Sequence, residues 1–169
     1  MKLYCSPRSE QTASESAYAL LNTAFRLEYG EKLPIILKTA NGKPYFPERP
    51  EICFSLSHSK THVLCGLSFA PIGVDIESPR RISERVKRLI CSSEEIELFD
   101  PLDLWVLKES YIKLHGATIS MMKTLRFSRE GGKIITPDNT IASGLYRVGD
   151  CRAAVCAKGD NPAESIALI

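Results

Sequence analysis

An α+β fold is predicted for this 169-residue chain by three features of its hydrophobic pattern. Short apolar runs broken by turn residues fill Ile52 to Glu77, the signature of adjacent strands. After Pro79 the apolar spacing lengthens to nearly four, as in helices, and beyond Thr124 short apolar runs and turns alternate again. Strands and helices are therefore segregated along the chain, which argues for mostly antiparallel sheets with packed helices.

Taken in order, Leu3-Tyr4-Cys5 reads as a short opening strand. Ser9 to Tyr29 reads as a helix with Ala17, Leu20, Leu21, Ala24 and Leu27 on one buried stripe, stopped at Gly30. Pro34 to Lys38 is a short strand, and Asn41-Gly42-Lys43-Pro44 a turn-rich loop. Ile52 to Ser57, Val63 to Phe69 and Ile72 to Glu77 follow as three strands, the first two joined through His58 to His62. Ile82, Val86, Leu89 and Ile90 make one helical face, and Ser92 to Glu95 offers a capping box for a second short helix. Asp100-Pro101 supplies an N-cap and a first-turn proline for a helix that reaches about Leu114 and stops at Gly116. The remainder, Leu125 to Ser128, Lys133 to Ile135, Gly144 to Val148, Ala153 to Ala157 and Ser165 to Ile169, reads as antiparallel strands.

The length suits one domain or two small lobes sharing a core. A net charge of +2 is too small to argue for nucleic acid. No apolar run is long enough for a membrane span, so a cytoplasmic protein is expected. The six cysteines contain no Cys-x-x-Cys pair and read as reduced, mostly structural thiols, with Cys53, Cys65 and Cys156 in apolar strands.

Chemistry concentrates in two segments, Gly73-Val74-Asp75-Ile76-Glu77 and Trp105-Val106-Leu107-Lys108-Glu109-Ser110-Tyr111-Ile112-Lys113. On a strand Asp75 and Glu77 share a face while Val74 and Ile76 enter the core. On a helix Trp105, Glu109 and Lys113 follow one another at single-turn spacing along one edge. Two strand carboxylates set against a helix carboxylate and an ammonium suit a hard divalent ion beside a phosphate. Taken singly each has an ordinary explanation: a solvated acidic pair, an intrahelical ion pair, a core tryptophan. Lys108 reads as a solvated helix charge.

Jointly the segments resemble the signature of the 4′-phosphopantetheinyl transferases, in its surfactin-type subgroup. The resemblance extends upstream to Gly42-Lys43-Pro44 and to Phe54-Ser55-Leu56-Ser57-His58-Ser59, in the family's order, and covers about Gly42 to Ser120. It implies a single domain over residues 1–169, a pseudo-dimer of two similar lobes, roughly 1–70 and 71–169, with coenzyme A in the cleft between them and the chain acting as a monomer. It implies Mg²⁺, or Mn²⁺, on Asp75, Glu77 and Glu109, catalysis by Glu109 and Lys113, and coenzyme A contacts from Lys43, Pro44, Ser57, His58 and Lys113. The implied reaction moves 4′-phosphopantetheine from coenzyme A to a serine of an apo acyl or peptidyl carrier protein, releasing adenosine 3′,5′-bisphosphate. Such carriers serve fatty-acid, polyketide or nonribosomal peptide synthesis. Either Glu109 or a water held by the metal takes the serine proton. Arg8 is the nearest N-terminal cation for the coenzyme's phosphates. The basic run Arg80, Arg81, Arg85, Lys87 and Arg88 is a steering patch for an acidic carrier. The competing reading is a catalytically inactive module of the same fold that binds coenzyme A or a carrier protein.

Overall fold

The computed structural model describes residues 1–169. In chain order the elements are β1 (Lys2–Pro7), α1 (Ala13–Tyr29), β2 (Leu37–Lys38), β3 (Pro44–Tyr45), β4 (Cys53–His58), β5 (His62–Ser68) and β6 (Ile72–Glu77). Then come α2 (Glu84–Ile90), α3 (Ser93–Leu98), α4 (Pro101–His115), a 3₁₀ helix (Ile119–Lys123), β7 (Ser128–Glu130), β8 (Lys133–Ile135), β9 (Ile141–Val148), β10 (Cys151–Lys158) and β11 (Ala167–Leu168). No helix is long and apolar enough to cross a membrane.

Two sheets form the centre, one ordered β11-β1-β5-β4 and the other β6-β10-β9. All main pairings are antiparallel, and only β11 runs parallel to its neighbour β1. Side-chain alternation explains the stacking. Val63, Cys65 and Leu67 of β5 pack with Leu20, Leu21 and Phe25 of α1. Leu64 of the same strand points the other way, toward Ile72, Val74 and Ile76 of β6 and Val155 of β10. Ala154 and Cys156 then face Val106, Leu107 and Tyr111 of α4. The order through the molecule is thus α1, first sheet, second sheet, α4. Because one face of β6 fills the core between the sheets, Gly73, Asp75 and Glu77 are left to face α4.

Gly73 makes that approach possible. A Cβ there would collide with the Ser110 carbonyl oxygen and the Leu114 amide nitrogen, so only glycine lets strand and helix lie this close. The α4 boundaries follow their local signals. Asp100 accepts a hydrogen bond from the Leu102 amide at 2.8 Å, Pro101 opens the helix, and Gly116 ends it at φ 61°. Ser92 and Glu95 form the expected capping box on α3.

Several expectations are corrected. The first helix begins at Ala13 rather than Ser9, since Thr12 and Glu15 build a capping box there. Leu27 is 61% exposed and its place on the buried face is taken by Phe25. The strand expected from Pro34 is only Leu37–Lys38. Leu89 is exposed, because the seven-residue α2 buries only Ile90 fully. Leu125 to Ser128 is not a strand: Leu125 and Phe127 are buried in the α4 core, and pairing begins only at Ser128. All six cysteines are free thiols, and burial pushes Cys156 up to about 12.

Candidate active site

Strands β4 and β6 are edge strands of different sheets, and serine hydroxyls stitch them together. Ser55 Oγ accepts from the Val74 amide at 3.0 Å, and Ser57 Oγ accepts from the Ile76 amide at 3.2 Å. These bonds satisfy backbone groups that a sheet edge would otherwise leave unpaired. Ser57 also donates to Asp75 Oδ1 at 2.7 Å and accepts from Lys113 Nζ at 2.9 Å. Lys113 completes the triangle, donating to the same Asp75 oxygen at 2.6 Å. Three expected site residues from β4, β6 and α4 therefore converge directly.

Asp75 Oδ2 is buried and has no hydrogen-bond partner. Glu109 is held above the usual carboxylate range, first by burial and next by the negative charge of Asp75, with Glu77 adding to it and Lys113 and Arg80 opposing. Glu77 accepts an ion pair from Arg80 at 3.1 Å. As the side chains stand, no group of three or more His, Cys, Asp or Glu is gathered to hold a metal ion. The donor chemistry nevertheless fits a hard cation: an orphaned buried carboxylate oxygen, with two further carboxylates close enough in charge to act on one another.

Lys43, Pro44, Ser57, His58, Glu109 and Lys113 line one cavity of about 460 Å³, together with Ser14, Ala17 and Tyr18 of α1 and Lys38 of β2. Phe54, Leu56, Ile112, Ala117 and Ile119 give it apolar walls. Asp75 and Glu77 are not in the lining, nor is Arg8. Lys43 reaches across to α4, its Nζ donating to the Leu114 carbonyl at 2.5 Å, one of the unpaired carbonyls at the helix end. Burial lowers its ammonium below the ordinary lysine range.

Two basic residues have other roles than the sequence suggests. Lys108 is not solvated: it is fully buried, donating to Glu95 Oε2 at 3.0 Å, to the carbonyls of Leu125 at 2.8 Å and Met122 at 3.4 Å, and to the Ile90 carbonyl. The lysine sits on the face of α4 that α2, α3 and the 3₁₀ helix cover, which helical spacing alone does not reveal. Arg80 leaves the steering patch, since besides pairing with Glu77 its guanidinium lies 4.7 Å over the Trp105 ring. Its one sequence signal is its position three residues past Glu77. Lys87 pairs with Glu84, which leaves Arg81, Arg85 and Arg88 exposed and without ion pairs.

Residues 71–156 match the family model described as the 4′-phosphopantetheinyl transferase superfamily. The chain is 38% identical over 145 residues to the 4′-phosphopantetheinyl transferase Sfp of Bacillus subtilis (strain 168), covering 76% of this chain and 65% of that protein. It is 35% identical over 153 residues to the 4′-phosphopantetheinyl transferase psf-1 of Bacillus pumilus, covering 80% of this chain and 66% of the relative. The chain thus spans slightly less than two thirds of the length of these curated relatives. With the family model covering half of its residues and including both Asp75 and Glu109, the chain belongs to the 4′-phosphopantetheinyl transferase superfamily.

Proposed function

We propose that this protein transfers 4′-phosphopantetheine from coenzyme A to a serine hydroxyl of an apo acyl or peptidyl carrier protein, with Mg²⁺ and release of adenosine 3′,5′-bisphosphate. The observation that carries this reading is the convergence of Ser57, Asp75 and Lys113, with one buried Asp75 oxygen left unpartnered and with Ser57, Lys113 and Glu109 lining the cavity of about 460 Å³. Family membership and the relatives' printed activity support it.

In the proposed reaction the serine oxygen attacks the phosphorus bearing pantetheine, and the bond to the bridging pyrophosphate oxygen breaks. Lys113 uses two of its three N–H groups on Ser57 and Asp75, leaving one for a phosphate oxygen. Glu109, lifted by burial and by Asp75, is the base that takes the serine proton. Asp75, Glu77 and Glu109 would hold a magnesium ion, which supplies charge neutralisation on the pyrophosphate when bound. His58, beside Ser57 on β4, contacts a phosphate, while Lys43 and Pro44 contact the nucleotide from the hairpin. The two lobes, roughly 1–70 and 71–169, form one domain that acts as a monomer with coenzyme A at their seam. Arg81, Arg85 and Arg88 steer the acidic carrier by a long-range field.

Intact-mass measurement of apo carrier proteins incubated with this protein and coenzyme A tests the reading. A mass increase of one phosphopantetheine group that requires magnesium and vanishes with chelator is expected. An unmodified panel of acyl and peptidyl carriers, with the protein folded and coenzyme A bound, supports the inactive module instead.

A further inference from the structure

From the contacts of the turn that follows β6, we infer that Arg80 is a positioning residue for metal binding: braced on the Trp105 ring, its guanidinium holds the Glu77 carboxylate against the edge of α4 that carries Glu109. The inference rests on the proposed transferase reading, in which Glu77 and Glu109 share a magnesium ion, and adds to it a residue that acts only through Glu77.

Glu77 is the last residue of β6, and a glutamate at a strand end has several rotamers open to it. Two guanidiniums lie beside it. Arg152 is its cross-strand neighbour on β10, but that side chain pairs with Asp103 of α4 at 2.9 Å. Arg80 is the one that reaches Glu77, donating from Nη2 to Oε1 at 3.1 Å. An exposed ion pair of residues three apart is ordinarily loose and worth little. This one is fixed at both ends of the arginine. On the backbone side, buried Ser78 accepts from the Lys60 amide at 3.1 Å and Pro79 restricts the turn. At the head, the guanidinium lies 4.7 Å over the Trp105 ring, which itself packs against the α4 core.

Trp105 stands one turn before Glu109 on the same helix edge, so the brace draws Glu77 toward the helix that bears the third carboxylate. The Arg80 charge is among those that oppose the rise of Glu109, which puts the two within electrostatic reach. Arg80 engages Glu77 Oε1 alone, and no hydrogen bond or ion pair occupies Oε2. That oxygen is left for a cation. A carboxylate held through one oxygen by an outer partner is already aimed when its other oxygen meets a metal. Without Arg80 the entropy of ordering Glu77 falls on metal binding itself.

Calorimetric titration of magnesium chloride into native protein, Arg80→Gln and Arg80→Lys, each saturated with coenzyme A, tests the inference. Arg80→Gln should weaken magnesium binding about tenfold. Arg80→Lys keeps the charge but gives up the planar fork and the ring stacking, so it should recover only part of that loss. In a Glu77→Gln background, Arg80→Gln should cost nothing further. Transfer to an apo carrier by Arg80→Gln should need about tenfold more magnesium for half its maximal rate, with most of the rate returning at saturating magnesium, a split that a general loosening of the fold would not produce. Magnesium affinity of Arg80→Gln equal to or tighter than native, or an equal loss in the Glu77→Gln background, overturns the role of Arg80 while leaving the transferase reading intact. Native protein that binds coenzyme A but no magnesium contradicts the metal assignment of the transferase reading itself and removes this inference with it.

Discussion

Lys108 and Lys113 lie on one helix and each meets a carboxylate, but their surroundings differ in kind. The Lys108–Glu95 pair has side-chain exposures of 0% and 2%, and its polar capacity is filled on both sides. Four acceptors surround the ammonium, while Glu95 also accepts from the Ser92 amide at 2.9 Å and the Phe127 amide at 2.9 Å. The Lys113–Asp75 pair has exposures of 31% and 7%, borders a cavity and leaves Asp75 Oδ2 without a partner. A pair that builds the fold saturates its own bonds, whereas a pair that awaits a ligand leaves capacity unspent.

The largest effect predicted from this contrast is on stability. Lys108→Met should destabilise the fold by about 3–5 kcal/mol, because Glu95 stays buried without its counter-ion. Adding Glu95→Gln should recover only part of this, since the glutamine still faces two amides but can no longer accept as a carboxylate. Denaturant unfolding of the single and double variants measures both, and a Lys108→Met loss below about 1 kcal/mol would place this pair among ordinary surface charges.

On the other face the effect should fall on chemistry. Asp75→Asn keeps an acceptor for Ser57 and Lys113 but removes the charge, so transfer should drop at least about a hundredfold while the melting temperature holds or rises. Calorimetry should also show weaker magnesium binding, a readout independent of turnover. Unchanged transfer and metal affinity would detach Asp75 from the site.

A smaller, salt-dependent effect is expected at the exposed arginines. Replacing Arg81, Arg85 and Arg88 with glutamine should slow association with an acidic carrier several-fold, and the difference should shrink as salt brings the Debye length below about 8 Å. Salt-independent, unaltered kinetics at subsaturating carrier would remove the patch. Smallest is the α1 cap, where Thr12→Ala should cost about 1 kcal/mol. Thr12's hydroxyl and amide hold the Glu15 carboxyl below the usual range. Its contribution is present above the ordinary glutamate pKa and lost as pH falls through the lower folded value, so the wild-type advantage should narrow in acid. Thermal unfolding of both proteins at neutral and acidic pH checks the sign.

Legibility in the sequence followed the same division. The strand Ile72–Glu77, the Asp100-Pro101 start and the Gly116 stop were readable because caps, prolines and period-two alternation are local signals. Asp75, Ser57 and Lys113 could be grouped by motif order, but their shared hydrogen bonds depend on two sheet edges meeting through serines, which no local pattern encodes. Lys108 was misread for the same reason: a lysine looks solvated until α2, α3 and the 3₁₀ helix are folded around it. Arg80 looks like one cation in a basic run, and only the fold brings the Trp105 ring of α4 and Glu77 of β6 to its guanidinium.

The most direct test of the account is intact-mass measurement of an apo carrier protein under single-turnover conditions with native protein and with Glu109→Gln, each folded and supplied with coenzyme A and magnesium. Native protein should add one phosphopantetheine group to the carrier, while Glu109→Gln should do so at least about a hundredfold more slowly with coenzyme A still bound. Equal rates for the two proteins would contradict the claim that the Lys113 face of α4 carries the chemistry.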